Sequence, residues 1–356
     1  MIPYLLLFGF FAWGAMLSSP QAQSSPGTGG SPVVRDPAPM LIVGGFLMAL
    51  LIGLRFEVGG DWRAYQEYWK YAGRVDLSKI LEMSDPAYQL LNWLAQEMGL
   101  EVWAVNLACG GLFSWGLIRF ARTQPLPWLV VVITMPYLVT VVAMGYSRQA
   151  VAIGILMAGL ASLFRGGNIV AFSFYAILAA LFHKTAILVL PLIIFSTDRN
   201  RFLSIFGGLV LIYGLYVALL SDDVDNLVQN YVVARYNSQG ALIRVVLSLL
   251  PALLFLNSRR EKFNFDSTQE KFWRLSSLTV LALLVAYFIV PSSTAIDRIA
   301  LYMFPLQLAV LGRVPLAYPG GGNLGLVIFY SLLVQVVWLN FAVHAFYWTP
   351  YQFYPF

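Results

Sequence analysis

Arginine, histidine, aspartate and aromatic side chains recur in several short segments of an otherwise apolar chain. Guanidinium groups bind phosphate oxygens bidentately, a histidine or an aspartate can accept a proton from a hydroxyl, and aromatic rings can lie flat against sugars. Together they would suit a phosphorylated saccharide. The candidate catalytic residues are Asp61, Arg148, His183 and Arg298. The candidate substrate-binding residues are Trp62, Arg63, Tyr65, Tyr146, Lys184, Arg235 and Asp297.

Each candidate also has a purely structural interpretation. Arg148 and Arg298 stand where helices begin, and such arginines can extend to lipid headgroups. His183 could stabilise a tight turn, and Asp61, after two glycines, could only cap the following helix. The tyrosines and tryptophans could form the aromatic belt found at membrane interfaces.

The composition excludes a soluble domain, because 59% of the 356 residues are hydrophobic and only 11% are charged. Apolar runs long enough to cross a bilayer recur along the chain. We therefore predict an all-α polytopic membrane protein, a single membrane-embedded domain over residues 1–356. Residues 55–101 would form an extracytoplasmic loop with surface helices. About twelve spans are predicted, near residues 2–17, 39–54, 102–119, 126–144, 148–164, 168–182, 185–197, 202–220, 241–257, 273–291, 298–312 and 324–344.

Several other functions are disfavoured by the sequence. The net charge of +5 is scattered between apolar runs and forms no patch, so no nucleic acid is expected as a partner. Cys109 is the single cysteine and no His/Cys ligand cluster occurs, which argues against a zinc or redox centre. Motifs for ATP, zinc-protease or serine-hydrolase chemistry are missing. No cofactor and no metal are therefore expected. The first apolar run lacks the positive start of a signal peptide and is interpreted as a span.

The distribution of lysine and arginine predicts the orientation. One set of short loops holds Arg119, Arg122, Arg165, Arg199, Arg201, Arg259, Arg260, Lys262, Lys271, Arg274 and Arg313. Outside residues 55–101, the opposite set holds Arg148, Lys184, Arg235, Arg244 and Arg298. The richer set should face the cytoplasm, which places both termini and residues 55–101 outside. Basic residues on the outer side oppose this bias, so a function is expected for them.

The segment between Arg165 and Asp198 predicts a short hairpin with His183 and Lys184 at its turn. Two arms of about 15 residues reach roughly 23 Å, against a hydrocarbon core of about 30 Å. The turn should therefore lie below the outer surface. An ionisable group at that depth needs a partner or a water-filled cavity, which indicates a recessed outward pocket.

Six segments in order resemble the EpsG-like exopolysaccharide polymerases, a Wzy-type family. They are "LRFEVGGDWRAYQEYW", "SDPAYQLLNWLAQEMGL", "MGYSRQAVAIGILMAGLASLFRGG", "AALFHKTAILVLPL", "DRIALYMFPLQLAVL" and "YWTPYQFYPF". Two departures bear on substrate preference: Trp62 stands where the family often has tyrosine, and Lys184 lies within the hairpin motif.

The resemblance implies a GT-C-like glycosyltransferase of the bacterial cytoplasmic (inner) membrane, with its active site facing outward. Its substrates would be undecaprenyl-diphosphate-linked oligosaccharides, as donor and as acceptor. Membrane lipid, chain-length regulators and export proteins are the other partners it suggests. Arg148 and Arg298 would bind the donor diphosphate, with Lys184 and Arg235 as second choices. His183 would be the general base, with Asp61 as its rival.

Three alternatives stay open at this stage. An O-antigen-ligase-like transferase would use the same donor with a different acceptor. A transporter of lipid-linked saccharide would need polar groups through the full depth of the bundle, where Gln307 and Gln335 are among the few. A purely structural subunit would leave the outward arginines unexplained.

Overall fold

A computed structural model describes residues 1–18, 38–197, 202, 205–210, 213, 240–290, 293–320 and 322–354. We number its α-helices α1 Ile2–Leu17, α2 Ala38–Gly53, α3 Trp62–Ala72, α4 Leu77–Glu82, α5 Pro86–Glu97, α6 Val102–Ala121, α7 Pro127–Thr134, α8 Ser147–Leu163, α9 Ile169–Phe182, α10 Val189–Ser196, α11 Ala241–Leu256, α12 Ser267–Ile289, α13 Thr294–Leu301, α14 Phe304–Leu311, α15 Val314–Ala317 and α16 Asn323–Phe341. A π-helical stretch, Met135–Ala143, continues α7. Short 3₁₀ turns occupy Lys184–Leu188, Arg260–Phe263 and Ala345–Tyr347.

The structure confirms an all-α membrane protein. Four helical runs in the described residues are long and apolar enough to cross a membrane: Val102–Ala121, Ser267–Ile289, Thr294–Ala317 and Asn323–Phe341. Seven shorter apolar helices of 10–17 residues accompany them. These helices begin and end within a few residues of most of the predicted spans. The total of twelve stays a prediction, because most of the predicted span 202–220 lies outside the described residues.

The predicted span 298–312 is interrupted in the structure. Helix α13 ends at Leu301, and α14 starts at Phe304 with Pro305 in its first turn. Proline lacks the backbone N–H that a continuous helix would use at this position, which favours a new helix start. The break sets Arg298 on a short helix of its own.

The centre of the bundle is formed by α6, the π-helical stretch and α8. All nine residues of the π-helical stretch are buried, and in α8 only Arg148 and Ser162 are not. Helices α6 and α8 cross closely where Gly116 meets the backbone of Gly154, since a Cβ at Gly116 would lie 1.9 Å from that carbonyl oxygen. Arg148 therefore lies at one end of a densely packed helix.

A two-stranded antiparallel sheet joins distant parts of the chain at this same end of the bundle. Strand β1, Arg55–Phe56, pairs with β2, Gln352–Phe353, in the register Arg55 to Phe353. The Tyr347 carbonyl accepts a hydrogen bond from the Gly59 N–H at 2.9 Å. The C-terminal segment thereby holds the turn that leads into α3.

Residues 55–101 contain the helices α3, α4 and α5. Helix α3 is amphipathic: Trp62 and Tyr65 are buried, whereas Arg63 and Glu67 are exposed. Helix α5 packs against both α6 and α9. The segment is therefore attached to the bundle next to the α9–α10 turn that carries His183.

Candidate functional site

Asp85 brings together two of the predicted catalytic residues. Its Oδ2 lies 2.8 Å from Arg148 Nη1 and 3.7 Å from His183 Nδ1. Its Oδ1 accepts a hydrogen bond from the Lys184 backbone N–H at 3.1 Å. One buried carboxylate thus joins the start of α8, the turn after α9 and the start of α5. The sequence analysis did not name Asp85 as a site residue.

The backbone explains why this aspartate is available. Asp85 occupies the N-cap position of α5, yet its side chain makes no cap hydrogen bond, and its φ of 56° is left-handed. Such a conformation costs about 1–3 kcal/mol in a residue with a Cβ, and aspartate tolerates it better than most. The carboxylate is directed to Arg148 and His183 instead. From the sequence alone, Asp85 before Pro86 resembles an ordinary helix cap.

The charge state of Asp85 follows from its neighbours. Burial raises the pKa of this carboxyl, but the nearby His183 imidazole, the charge of Arg148 and the Lys184 N–H outweigh it. The net result is a pKa below the usual 3.8. Asp85 is therefore a carboxylate at neutral pH, able to orient His183 and Arg148.

Aromatic rings surround the Arg148 guanidinium. Its central carbon lies 5.0 Å from the ring centroid of Tyr68 and 5.9 Å from that of Tyr88, within range of cation–π attraction. About a quarter of the Arg148 side chain stays exposed (26%). The predicted substrate-binding residue Tyr65 lies deeper, with its ring against Tyr68 and Tyr88. Arg148 is thus fixed in direction and still open to a ligand.

A second cluster is built around Arg244. This buried arginine forms an ion pair with Asp297 and donates from Nε to the Tyr137 hydroxyl at 3.0 Å. Its guanidinium carbon lies 4.8 Å from the centroid of Tyr146. The sequence analysis named Asp297 only as a candidate substrate-binding residue. The structure pairs Asp297 with Arg244, one of the outward basic residues that had no assigned role.

A cavity of about 210 Å³ opens beside this second cluster. Its wall includes Arg244 and aromatic side chains from three parts of the chain: Tyr137, Tyr146, Trp338, His344 and Trp348. The Trp348 indole N–H is buried without a hydrogen-bond partner among the described residues. This arrangement of flat rings and unpaired polar groups suits a sugar ring.

Asp61 lies within the electrostatic reach of both clusters. Burial raises the pKa of its carboxyl above the usual 3.8, and the charges of Arg148 and Arg244 act in the opposite direction. Its side chain makes no cap hydrogen bond to α3, so capping does not account for it. The preceding turn needs glycine: Gly59 has a φ of 106°, and a Cβ there would lie 2.2 Å from the Met144 carbonyl oxygen.

The other predicted residues take different places. The Arg298 carbonyl accepts a hydrogen bond from Gln149 Nε2 at 2.7 Å, so Arg298 lies next to the start of α8, and its charge acts on His183. Lys184 meets Asp85 through its backbone. Arg63 is exposed on α3, and the buried Trp62 lies beside Arg55, whose guanidinium carbon is 6.0 Å from the Trp62 ring centroid. Arg235 lies outside the described residues.

Arg55 is a further buried arginine, without an assigned role in the sequence analysis. It is fully buried, and its Nη2 donates to Asn106 Oδ1 at 3.0 Å and to Ser147 Oγ at 2.8 Å. Because Ser147 precedes Arg148, Arg55 fixes the start of α8. Across the described residues, no group of three His, Cys, Asp or Glu side chains could hold a metal ion.

The bundle and its charged site define a helical polytopic membrane protein with arginine–aspartate pairs at one end. A sequence model described as the EpsG family matches residues 40–353, and the chain belongs to this family. The resemblance predicted from the six motifs is confirmed. Membership indicates a membrane protein of exopolysaccharide synthesis with a glycosyltransferase-like polymerase function. Searches of curated proteins and of solved structures give no match for this chain.

Proposed function

We propose that the protein joins undecaprenyl-diphosphate-linked oligosaccharide repeat units at the outer leaflet of the bacterial cytoplasmic membrane. A hydroxyl of the acceptor saccharide attacks the reducing-end carbon of the donor. The bond from that carbon to the diphosphate oxygen breaks, the new glycosidic bond forms, and the lipid diphosphate leaves. The hydroxyl proton passes to a base of the protein.

The observation that supports this proposal best is the contact of Arg148 and His183 with the same carboxylate, Asp85. A diphosphate leaving group needs a fixed cation, and an attacking hydroxyl needs a base close by. The exposed part of Arg148 can receive phosphate oxygens while its Nη1 stays on Asp85. Arg298, beside the start of α8, supplies the second cation.

His183 is the proposed general base, and Asp85 is the positioning residue that holds it. Both imidazole nitrogens are buried with no hydrogen-bond partner within 3.5 Å among the described residues, so one of them is free to accept the hydroxyl proton. Asp61 remains the rival base. Its raised pKa would let it take up a proton more readily than an exposed carboxylate.

We assign the aromatic cavity at Arg244 to the saccharide rather than to a second diphosphate. Asp297 already neutralises Arg244, so this arginine offers hydrogen bonds but little free charge. The rings of Tyr146 and Trp348 can pack against the apolar face of a pyranose. Donor diphosphate and sugar would then occupy neighbouring parts of one site, with Asp61 acted on by both arginines.

The test is polymerisation by the purified protein in nanodiscs, supplied with a synthetic lipid-diphosphate repeat unit. Wild type should give a ladder of longer lipid-linked products on a gel. Arg148→Ala, His183→Ala and Arg298→Ala should collapse the ladder to the single unit. Lys79→Ala is the matched control, because Lys79 is exposed on α4 and its ion pair among the described residues is with Glu82.

Two outcomes would contradict the proposal. Transfer of one unit to a different acceptor, with no ladder, would indicate a ligase that uses the same donor. Movement of the lipid-linked unit across the membrane without bond formation would indicate a transporter. If all three variants still produce the ladder, the polymerase function would stand, but the proposed active site would be wrong.

A further inference from the structure

A large groove lies between α2 and α6, at the end of α6 that is remote from the Asp85 site. Its volume is about 600 Å³, within the range of ordinary ligand sites. Its wall contains Phe46 of α2 and Trp115 of α6, which are 62% and 45% exposed. Gly111 forms part of the floor, with no atom within 4 Å of the position of an added Cβ. The groove is therefore open and apolar along its length.

Three arginines border one end of this groove: Arg119, Arg122 and Arg165. Arg119 is held over the rings of Trp115 and Tyr175, at 5.6 and 6.0 Å from their centroids. Arg165 Nη2 donates to the Arg122 carbonyl at 3.2 Å. Within the described part of the chain, none of the three forms an ion pair with a carboxylate. They leave a concentrated positive charge beside an apolar channel.

A buried polar group in the groove also lacks a partner. Ser114 is 3% exposed, lines the groove, and its hydroxyl makes no hydrogen bond among the described residues. Most buried hydroxyl groups in proteins are hydrogen-bonded. Ser114 thus offers a donor and an acceptor to an occupant that carries oxygen atoms near its charged end.

We propose that this groove binds an anionic glycerophospholipid. The headgroup phosphate lies against the arginines, an ester oxygen reaches Ser114, and an acyl chain runs along Phe46 and Trp115. The apolar walls favour a lipid over a soluble anion, and basic pockets between membrane helices are suited to anionic headgroups. A symmetric contact with a second copy would bring the same unpaired arginines together, which charge repulsion opposes. The proposal does not depend on the polymerase function.

Native mass spectrometry of the full-length protein in detergent tests whether the groove arginines select an anionic headgroup. Phosphatidylglycerol and phosphatidylcholine are added in turn. Wild type should retain phosphatidylglycerol and lose phosphatidylcholine. Arg122→Gln/Arg165→Gln should bind phosphatidylglycerol about 25-fold more weakly, from about fivefold for each arginine. The matched control is Arg259→Gln/Arg274→Gln, which removes the same charge from exposed positions outside the groove and should bind as wild type does.

A second pair of variants tests the apolar channel at constant charge. Gly111→Phe should fill the groove and abolish lipid retention. Gly325→Phe is its control, because Gly325 is also a helical glycine with open space around it and lies on α16 outside the groove. Equal retention of both lipids, or undiminished phosphatidylglycerol binding by Gly111→Phe, would overturn the proposal. So would a wild-type dimer that Gly111→Phe dissociates, since the groove would then be an interface between copies.

Discussion

At the residue scale, Asp85 determines how Arg148 and His183 lie relative to each other. Asp85→Asn is the informative change, because asparagine tolerates the left-handed φ and the substitution removes only the charge. We expect kcat to fall about 10²-fold or more, the scale of a general base contribution. The acid limb of the pH–rate profile should also move to lower pH, because protonated His183 loses its carboxylate neighbour. Polymerisation rates at a series of pH values measure both effects.

A double variant separates positioning from a merely structural role. If Asp85 acts through His183, then Asp85→Asn should add little to the loss already caused by His183→Ala. Multiplied losses with an unchanged pH profile would show that the two residues act independently.

Asp85 itself does not titrate in the functional range. Its stabilising contribution is present above the unfolded pKa of about 3.9 and is lost only as pH falls through the lower folded value.

Asp61 has the opposite pH dependence. Burial raises its folded pKa above 3.8, so the folded state holds the proton more tightly than the unfolded chain. Stability therefore falls as pH rises from about 3.8 through the folded pKa, and the cost stays constant above it. We expect Asp61→Asn to raise Tm by about 2–4 °C at neutral pH, to leave it unchanged near pH 3.5, and to reduce polymerisation.

Thermal unfolding of both proteins in the same detergent, scanned over pH, measures this difference. A variant that is more stable but less active would identify Asp61 as a residue kept for function at a cost in stability. If Asp61→Asn is instead less stable at neutral pH, the carboxylate has a structural partner and its proposed role is wrong.

At the element scale, the two glycines before α3 have different tasks. Gly59 needs its positive φ and its close approach to the Met144 carbonyl, whereas the nearest atom to a Cβ on Gly60 is a Trp348 ring carbon at 3.8 Å. Gly59→Ala should lose about 1–2 kcal/mol or more from backbone strain, with the clash in addition. Gly60→Ala should be tolerated. Thermal unfolding and polymerisation of the matched pair test whether this turn positions Asp61.

Element boundaries could largely be predicted from the sequence, because apolar runs and the residues between them are local features. The hairpin around His183 has the predicted short arms, of 14 residues in α9 and 13 from Lys184 to Ser196. The break between α13 and α14 was not predicted, since Pro305 lies inside a largely apolar run. Proline is common in the first turn of a helix, so Pro305 is compatible with a helix start there, but a prediction based on hydrophobicity alone does not detect the break.

At the scale of the whole molecule, the sequence analysis named basic residues as candidates but did not identify the carboxylates that they contact. Arg148 and His183 were predicted as site residues, yet the carboxylate between them lies 63 residues from Arg148 in the chain. The pairing of Arg244 with Asp297 likewise depends on how α11 packs against α13. Residues at one end of a bundle can be identified from topology, whereas the choice of ion pair is set by tertiary packing that local patterns do not contain.

The Asp85 site and the α2–α6 groove lie toward opposite ends of the bundle, and the orientation predicted from the lysine and arginine distribution would place them on opposite sides of the membrane. Cysteine accessibility can measure it in a Cys109→Ala background, since Cys109 is the single cysteine and is buried. Lys79→Cys lies in the segment next to the site, and Arg259→Cys lies at the opposite end between α11 and α12. Both native residues are exposed.

A membrane-impermeant maleimide should label Lys79→Cys in cells with an intact cytoplasmic membrane. Arg259→Cys should be labelled only after lysis, because lysine and arginine concentrate in cytoplasmic loops. This result would put Arg148, Asp85 and His183 at the leaflet where a lipid-linked saccharide arrives after translocation. The reverse labelling would place them on the cytoplasmic side, where the polymer would have to be made before export, and would contradict the outer-leaflet reaction.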